Sequence, residues 1–173
     1  MDAAAVARDV FDVHQLRAQQ LEAIEAIVRG DNVIVVLPTG LGKSLCYQIG
    51  TVLLKGFTVV VTPLLALCED QIQYMLAHGI PVDRIDSTVL YDEQLAVCKR
   101  IEGEGSGLKA LYTTPETLQH NRHLARALQV AQAGDRINFI TIDGAHCVLE
   151  WLEFRRDCSP CHTCATTYST ATQ

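Results

Sequence analysis

Residues 37–44 read Leu-Pro-Thr-Gly-Leu-Gly-Lys-Ser, two glycines flanking one residue and followed at once by a cation and a hydroxyl. Gly40 and Gly42 allow backbone N–H groups to turn inward around an anion, and a helical stretch at 45–54 points its positive end at the same place. In such a cradle Thr39, Gly40 and Gly42 surround phosphate oxygens. Lys43 neutralises the β and γ phosphates, and Ser44 offers its hydroxyl to Mg²⁺. The chemistry is that of binding a nucleoside triphosphate, and ATP with Mg²⁺ is the expected cofactor pair. A glycine turn with an incidental lysine is the bland alternative, and the apolar run before the loop and the helix after it weigh against it. A second group belongs with the first: the apolar run 137–142 ends in Asp143, which places a carboxylate at the C-terminal edge of a buried strand, where ligands of α/β sheets bind. Asp143 and Ser44 are the expected metal ligands.

These groups need elements to hold them. Leu21, Ile24, Ile27 and Val28 recur at helical spacing up to Gly30, and residues 33–37 form a solid apolar run that predicts a buried strand leading into the loop. Downstream, 57–61 is β-branched and apolar. Leu64, Leu67, Cys68, Ile72, Met75 and Leu76 then make a helical stripe closed by Gly79. Residues 108–112 and 137–142 are further strand candidates, separated by one helical stretch from Pro115 to about Ala131. Apolar strands alternating with helices predict a doubly wound α/β fold, a parallel sheet with helices on both faces. The glycine-rich run 102–107 reads as a surface loop.

Composition narrows the function classes. A chain of 173 residues, 49% hydrophobic, fits one compact domain rather than two. The net charge of -6 gives no general attraction to a nucleic-acid backbone, so any DNA contact must come from local geometry. The N-terminus has no secretory pattern and no run approaches the roughly 20 apolar residues of a membrane span, so no membrane partner is expected. Seven cysteines in such a chain read as reduced thiols. An intracellular protein is expected, nuclear in a eukaryote and otherwise cytoplasmic.

The acidic motif continues Asp143-Gly144-Ala145-His146, which resembles the Asp-Glu-Ala-His signature of a large group of helicases, with Gly144 where the family has Glu. Other segments resemble the RecQ-type ATP-dependent DNA helicases of superfamily 2 and together span residues 11 to about 156. They are Phe11 with 16–20 (Leu-Arg-Ala-Gln-Gln), 43–48 (Lys-Ser-Leu-Cys-Tyr-Gln), 62–67 with Asp70-Gln71, and 113–116 (Thr-Thr-Pro-Glu). The resemblance implies a RecA-like first motor lobe over residues 1–156, followed by an irregular or degenerate tail at 157–173. It implies that Arg17 and Gln20 read adenine, although Asp12 and Leu16 depart from the family pattern. It implies DNA, single-stranded or at duplex junctions, as a partner of Thr62, Pro63, Gln71, Thr113 and Thr114, and of an aromatic loop carrying Trp151, Phe154 and Arg155. That loop is one residue short, because Leu152-Glu153 replaces a three-residue step. His146 is implied to couple DNA to nucleotide. Plain alternatives stand beside these roles: a polar helix face for Arg17 and Gln20, a helix cap for Thr114, and core packing for Trp151 and Phe154. Glu69 stands where some members have Lys, which should weaken backbone affinity.

In the family the Glu after the metal-binding Asp polarises the attacking water. At the general-base position stands Gly144, as a genuine loss or as a single-base sequence error. General-base catalysis contributes roughly 10²–10⁴ in rate, so hydrolysis should be impaired while binding persists. The family also needs a second lobe that 173 residues do not supply. The function read from the sequence is the ATP-binding first lobe of a RecQ-like 3′ to 5′ DNA helicase, at best a poor ATPase alone. A non-catalytic nucleotide and nucleic-acid binding module, or a fragment of a degenerate helicase gene, is the alternative. A small-molecule kinase is disfavoured by the segments around Thr113 and Asp143. The tail cluster Cys158, Cys161, His162 and Cys164 is too tight for the usual zinc spacing.

Overall fold

A computed structural model describes residues 2–38, 40–63, 65–103 and 107–144. The elements run α1 (Ala3–Phe11), α2 (Ala18–Arg29), α3 (Lys43–Leu53), β1 (Phe57–Val61), α4 (Leu65–Ala77), β2 (Val82–Ile85), α5 (Tyr91–Glu102), β3 (Ala110–Thr113), α6 (Pro115–His120), α7 (Arg122–Ala133) and β4 (Ile137–Ile142). Four strands form one sheet in the order β2-β3-β1-β4, and every pairing is parallel. Strands of a parallel sheet need crossovers, and here helices provide them.

Alternate side chains of each strand serve two cores. Val60, Ala110, Tyr112 and Phe139 pack with α1–α4 on one face, whereas Phe57, Val59, Val61 and Leu111 pack with α5 and α7 on the other. The doubly wound reading therefore holds. All five residues of β1 are buried, as expected of a central strand covered on both sides. On the first face α3 lies close to both α2 and the sheet at Gly50, where a Cβ would stand 2.9 Å from Ile27 Cγ2 and 3.6 Å from the Phe139 ring. Any side chain there would push the helix off its seat.

Two expected elements are corrected. Residues 33–37 belong to no strand: the sheet has four strands in the order β2-β3-β1-β4, and the segment pairs with none of them, the outer edge of β4 included. Its burial alternates: Val35 and Leu37 point into the core, while Ile34 and Val36 remain 66% and 64% exposed. The single helix expected from Pro115 to about Ala131 is two. Asn121 leaves the helical conformation and its side-chain oxygen accepts from the Leu124 N–H at 3.0 Å, which starts α7 afresh. Two elements had no clear pattern beforehand, α1 in the Ala-rich start and β2, whose centre is Asp83-Arg84. No helix among the described residues is long and apolar enough to cross a membrane.

Candidate nucleotide and metal site

The loop after residue 37 turns through Gly40 and Gly42, at φ +79° and +69°, conformations that L side chains rarely adopt. Gly42 caps α3, so the helix N-terminus opens at the loop. A Cβ on Gly42 would also stand 2.7 Å from Gln20 Nε2. The Gln20 carboxamide, 5% exposed, donates to the carbonyls of Leu41 at 3.1 Å and Gly42 at 3.2 Å and accepts from the Arg17 N–H at 2.9 Å. In this state Gln20 clamps the loop to the start of α2. Arg17 is exposed beside it. The Lys43 ammonium folds back on the loop, donating to the Leu37 carbonyl at 2.8 Å and the Pro38 carbonyl at 3.2 Å. A half-buried ammonium held by neutral carbonyls is well placed to exchange them for anionic oxygens, which make stronger charge-assisted bonds.

Beneath the loop the end of β4 meets the start of α3. The Asp143 N–H extends the ladder by donating to the Val61 carbonyl at 2.9 Å, which carries the carboxylate to the C-terminal edge of the sheet. Asp143 is buried, and its Oδ2 accepts from Ser44 Oγ at 3.4 Å and from Gln71 Nε2 at 2.8 Å. Gln71 also donates to Ser44 Oγ at 3.4 Å, and the Tyr47 hydroxyl donates to Gln71 Oε1. Burial pushes the Tyr47 phenol well above its ordinary range, so it remains a donor. Hard oxygen ligands are what Mg²⁺ takes, and it commonly uses one or two protein groups and fills its shell with phosphate and water. Ser44 and Asp143 fit that requirement. Gly144 follows at φ +118° and adds no acid. A glutamate there would need a different backbone conformation.

Of the residues expected to face DNA, Thr62, Pro63, Thr113 and Thr114 lie together at the C-terminal ends of the neighbouring strands β1 and β3. Their polar groups are partly engaged inside the fold. The Thr62 N–H donates to the Thr113 carbonyl at 3.0 Å, and Thr113 Oγ1 donates to the Ile85 carbonyl at 2.8 Å. Thr114 Oγ1 accepts from the Thr117 N–H at 3.2 Å, which makes Thr114 a helix cap whatever else it does. Gln71 is apart from them, turned to Asp143. Glu69 forms an ion pair with Arg84, a partner on β2 that residue spacing did not reveal. Thr39, His146, Trp151, Phe154 and Arg155 lie outside the described residues, as do the tail cysteines. Cys46, Cys68 and Cys98 are buried free thiols.

A parallel sheet, a glycine loop opening a helix, and a carboxylate at the adjoining strand end define a P-loop α/β lobe. Residues 17–173 match the family model described as DEAD/DEAH box helicase, and the chain belongs to that family. Within it, the chain is similar to the RecQ-type helicases. It is 39% identical over 150 residues to "ATP-dependent DNA helicase Q-like 2" of Arabidopsis thaliana, covering 86% of this chain and 21% of that one. It is 34% identical to "ATP-dependent DNA helicase Q1" of Rattus norvegicus, covering 88% and 25%, and 37% identical to "ATP-dependent DNA helicase RecQ" of Haemophilus influenzae, covering 86% and 23%. The chain thus spans about a quarter or less of the length of these relatives. Its fold superposes on the DUF1998 helicase MrfA, solved bound to DNA and AMPPNP, with a TM-score of 0.71 and 19% identity over 99% of this chain and 26% of that one.

Proposed function

We propose that this chain is the ATP-binding first lobe of a RecQ-like 3′ to 5′ DNA helicase, binding Mg-ATP and DNA and impaired in hydrolysis. The observation that carries the reading is the meeting of Ser44 and Asp143, 3.4 Å apart and directly beneath a loop whose lysine is poised on backbone carbonyls. Lys43 receives the β and γ phosphates, the loop N–H groups and the α3 N-terminus hold the triphosphate, and Ser44 and Asp143 hold Mg²⁺. Bound Mg²⁺ supplies charge neutralisation on the phosphate oxygens. Arg17 faces the base, and the strand edge at Thr62, Pro63, Thr113 and Thr114 faces DNA, as in the named function of the RecQ relatives. Calorimetric titration with Mg-ATP tests the reading. Lys43→Ala removes charge-assisted bonds and should weaken binding roughly 10- to 100-fold. Equal affinities in the two proteins would remove the loop from the account.

Gly144 favours a second reading, a binding module without catalysis. Its test needs a host with both lobes: residues 11–151 are grafted into a RecQ-type helicase and ATPase rates compared with and without Gly144→Glu. Restored general-base chemistry raises turnover roughly 10²-fold or more while ATP affinity stays similar. If the unmodified chimera is already as fast, Gly144 is not the lesion.

A further inference from the structure

The Gln71 carboxamide is buried and reaches Asp143 across 72 residues of sequence, from α4 to the end of β4. Its orientation is dictated by its neighbours. Asp143 only accepts, so the NH₂ must face it, and the oxygen is left to receive the Tyr47 hydroxyl, which donates. The opposite orientation would set two oxygens against each other. Tyr47 is on α3, one turn beyond Ser44, so the donors run from Tyr47 on α3 to Gln71 on α4, and from Gln71 both to Asp143 at the end of β4 and to the Ser44 hydroxyl, which itself donates to Asp143.

From this geometry we infer that Gln71 is a positioning residue for the divalent-cation site, fixing Ser44 and Asp143 in mutual register, with Tyr47 holding the carboxamide in place. The inference rests on the phosphate-loop reading above. It also departs from the DNA-facing role that resemblance assigns to Gln71. A carboxylate oxygen has lone pairs for both a cation and a neighbouring N–H. A donor at 2.8 Å on Oδ2, the oxygen that Ser44 also approaches at 3.4 Å, restricts the rotation of the carboxylate and leaves Oδ1 free for a cation. Partners that orient a metal ligand in this way typically change metal affinity by roughly 10- to 100-fold when removed.

The test uses the full chain and two affinities, for ATP with Mg²⁺ and for ATP with a chelator. Gln71→Leu preserves bulk and removes both polar ends. It should reduce the gain in ATP affinity that Mg²⁺ produces by roughly 10- to 100-fold, with the metal-free affinity and single-stranded DNA binding unchanged. Tyr47→Phe should act in the same direction and less, and it decides the matter if Gln71→Leu fails to fold by circular dichroism. An undiminished Mg²⁺ gain in these variants overturns the inference, as does a loss that is equal with and without Mg²⁺, since that is the mark of a merely structural side chain. A variant that loses DNA affinity and keeps its Mg²⁺ gain returns Gln71 to the DNA-facing role. A parent chain that binds no ATP in either condition overturns the phosphate-loop reading itself, and the inference with it.

Discussion

Residues 33–37 and β1 are almost interchangeable on paper, each a run of five residues dominated by valine or isoleucine, and the fold treats them differently. β1 has parallel neighbours on both edges and is buried throughout. The 33–37 segment has no ladder among the described residues and buries every second side chain. The difference lies in pairing rather than composition: an apolar run has affinity for a core, but strand structure also requires that its N–H and C=O groups pair with a neighbouring strand. The less supported segment nevertheless bears on function, since its last carbonyl receives Lys43.

The strongest way to break the comparison is a buried charge. Val60→Asp puts a carboxylate without a partner in the middle of the sheet and should cost about 3–5 kcal/mol or more, enough to unfold a marginal domain. Val36→Asp, at a largely exposed position, should fall within about 0.5 kcal/mol of the parent. Urea unfolding midpoints measure both, and similar losses would show that Val36 is packed in solution.

Hydrogen exchange sharpens the same contrast without mutation. Amides of 59–61 should exchange only with global opening, and those of 34–36 should exchange within local fluctuations, well below the global free energy. Protection of 34–36 equal to that of β1 would mean the segment has a ladder partner.

A smaller effect concerns pH. Cys46 shares a core with Val35 and Leu37, and burial pushes its thiol up to about 11 from 9.0; Cys68 is likewise pushed up to about 12. The unfolded chain therefore releases these protons first as pH rises. The stabilisation from keeping both thiols neutral is complete below pH 9 and is lost as pH climbs through about 11 and then about 12. Unfolding midpoints should decline over that window, and a Cys46→Ala variant should decline less. A flat profile would mean that Cys46 already meets water beneath a loosely held 33–37 segment.

Much of the site was legible because its residues are contiguous or end a recognisable strand. The loop at 37–44 and Asp143 could be read from order alone, and the structure sets Ser44 against Asp143. Gln71 and Gln20 were visible only as members of family segments, and their observed contacts were not. Gln71 meets a residue 72 positions away, and Gln20 meets carbonyls 21 and 22 positions away, distances at which periodicity carries no information. β2 escaped notice because Asp83 and Arg84 break its apolar pattern. Both are neutralised by tertiary pairs, Asp83 with Arg100 and Arg84 with Glu69, neither of which local spacing predicts. Glu69, expected to weaken contact with a DNA backbone, is paired with Arg84, so its charge is partly offset.

The strand order β2-β3-β1-β4 has a consequence for how the chain assembles during synthesis. Among the described strands β1 comes first in the sequence yet is an interior strand, and neither of its neighbours exists until β3 and later β4 have followed. Pairings of such sequence separation are slow to form, because the intervening loop must be closed before the contacts compensate for it. Helices α1 to α3 can form locally well before then, but Ser44 and Asp143, 99 residues apart, meet only once β4 has followed. A nascent chain halted before Asp143 would therefore carry the glycine loop and Ser44 without the carboxylate that meets them.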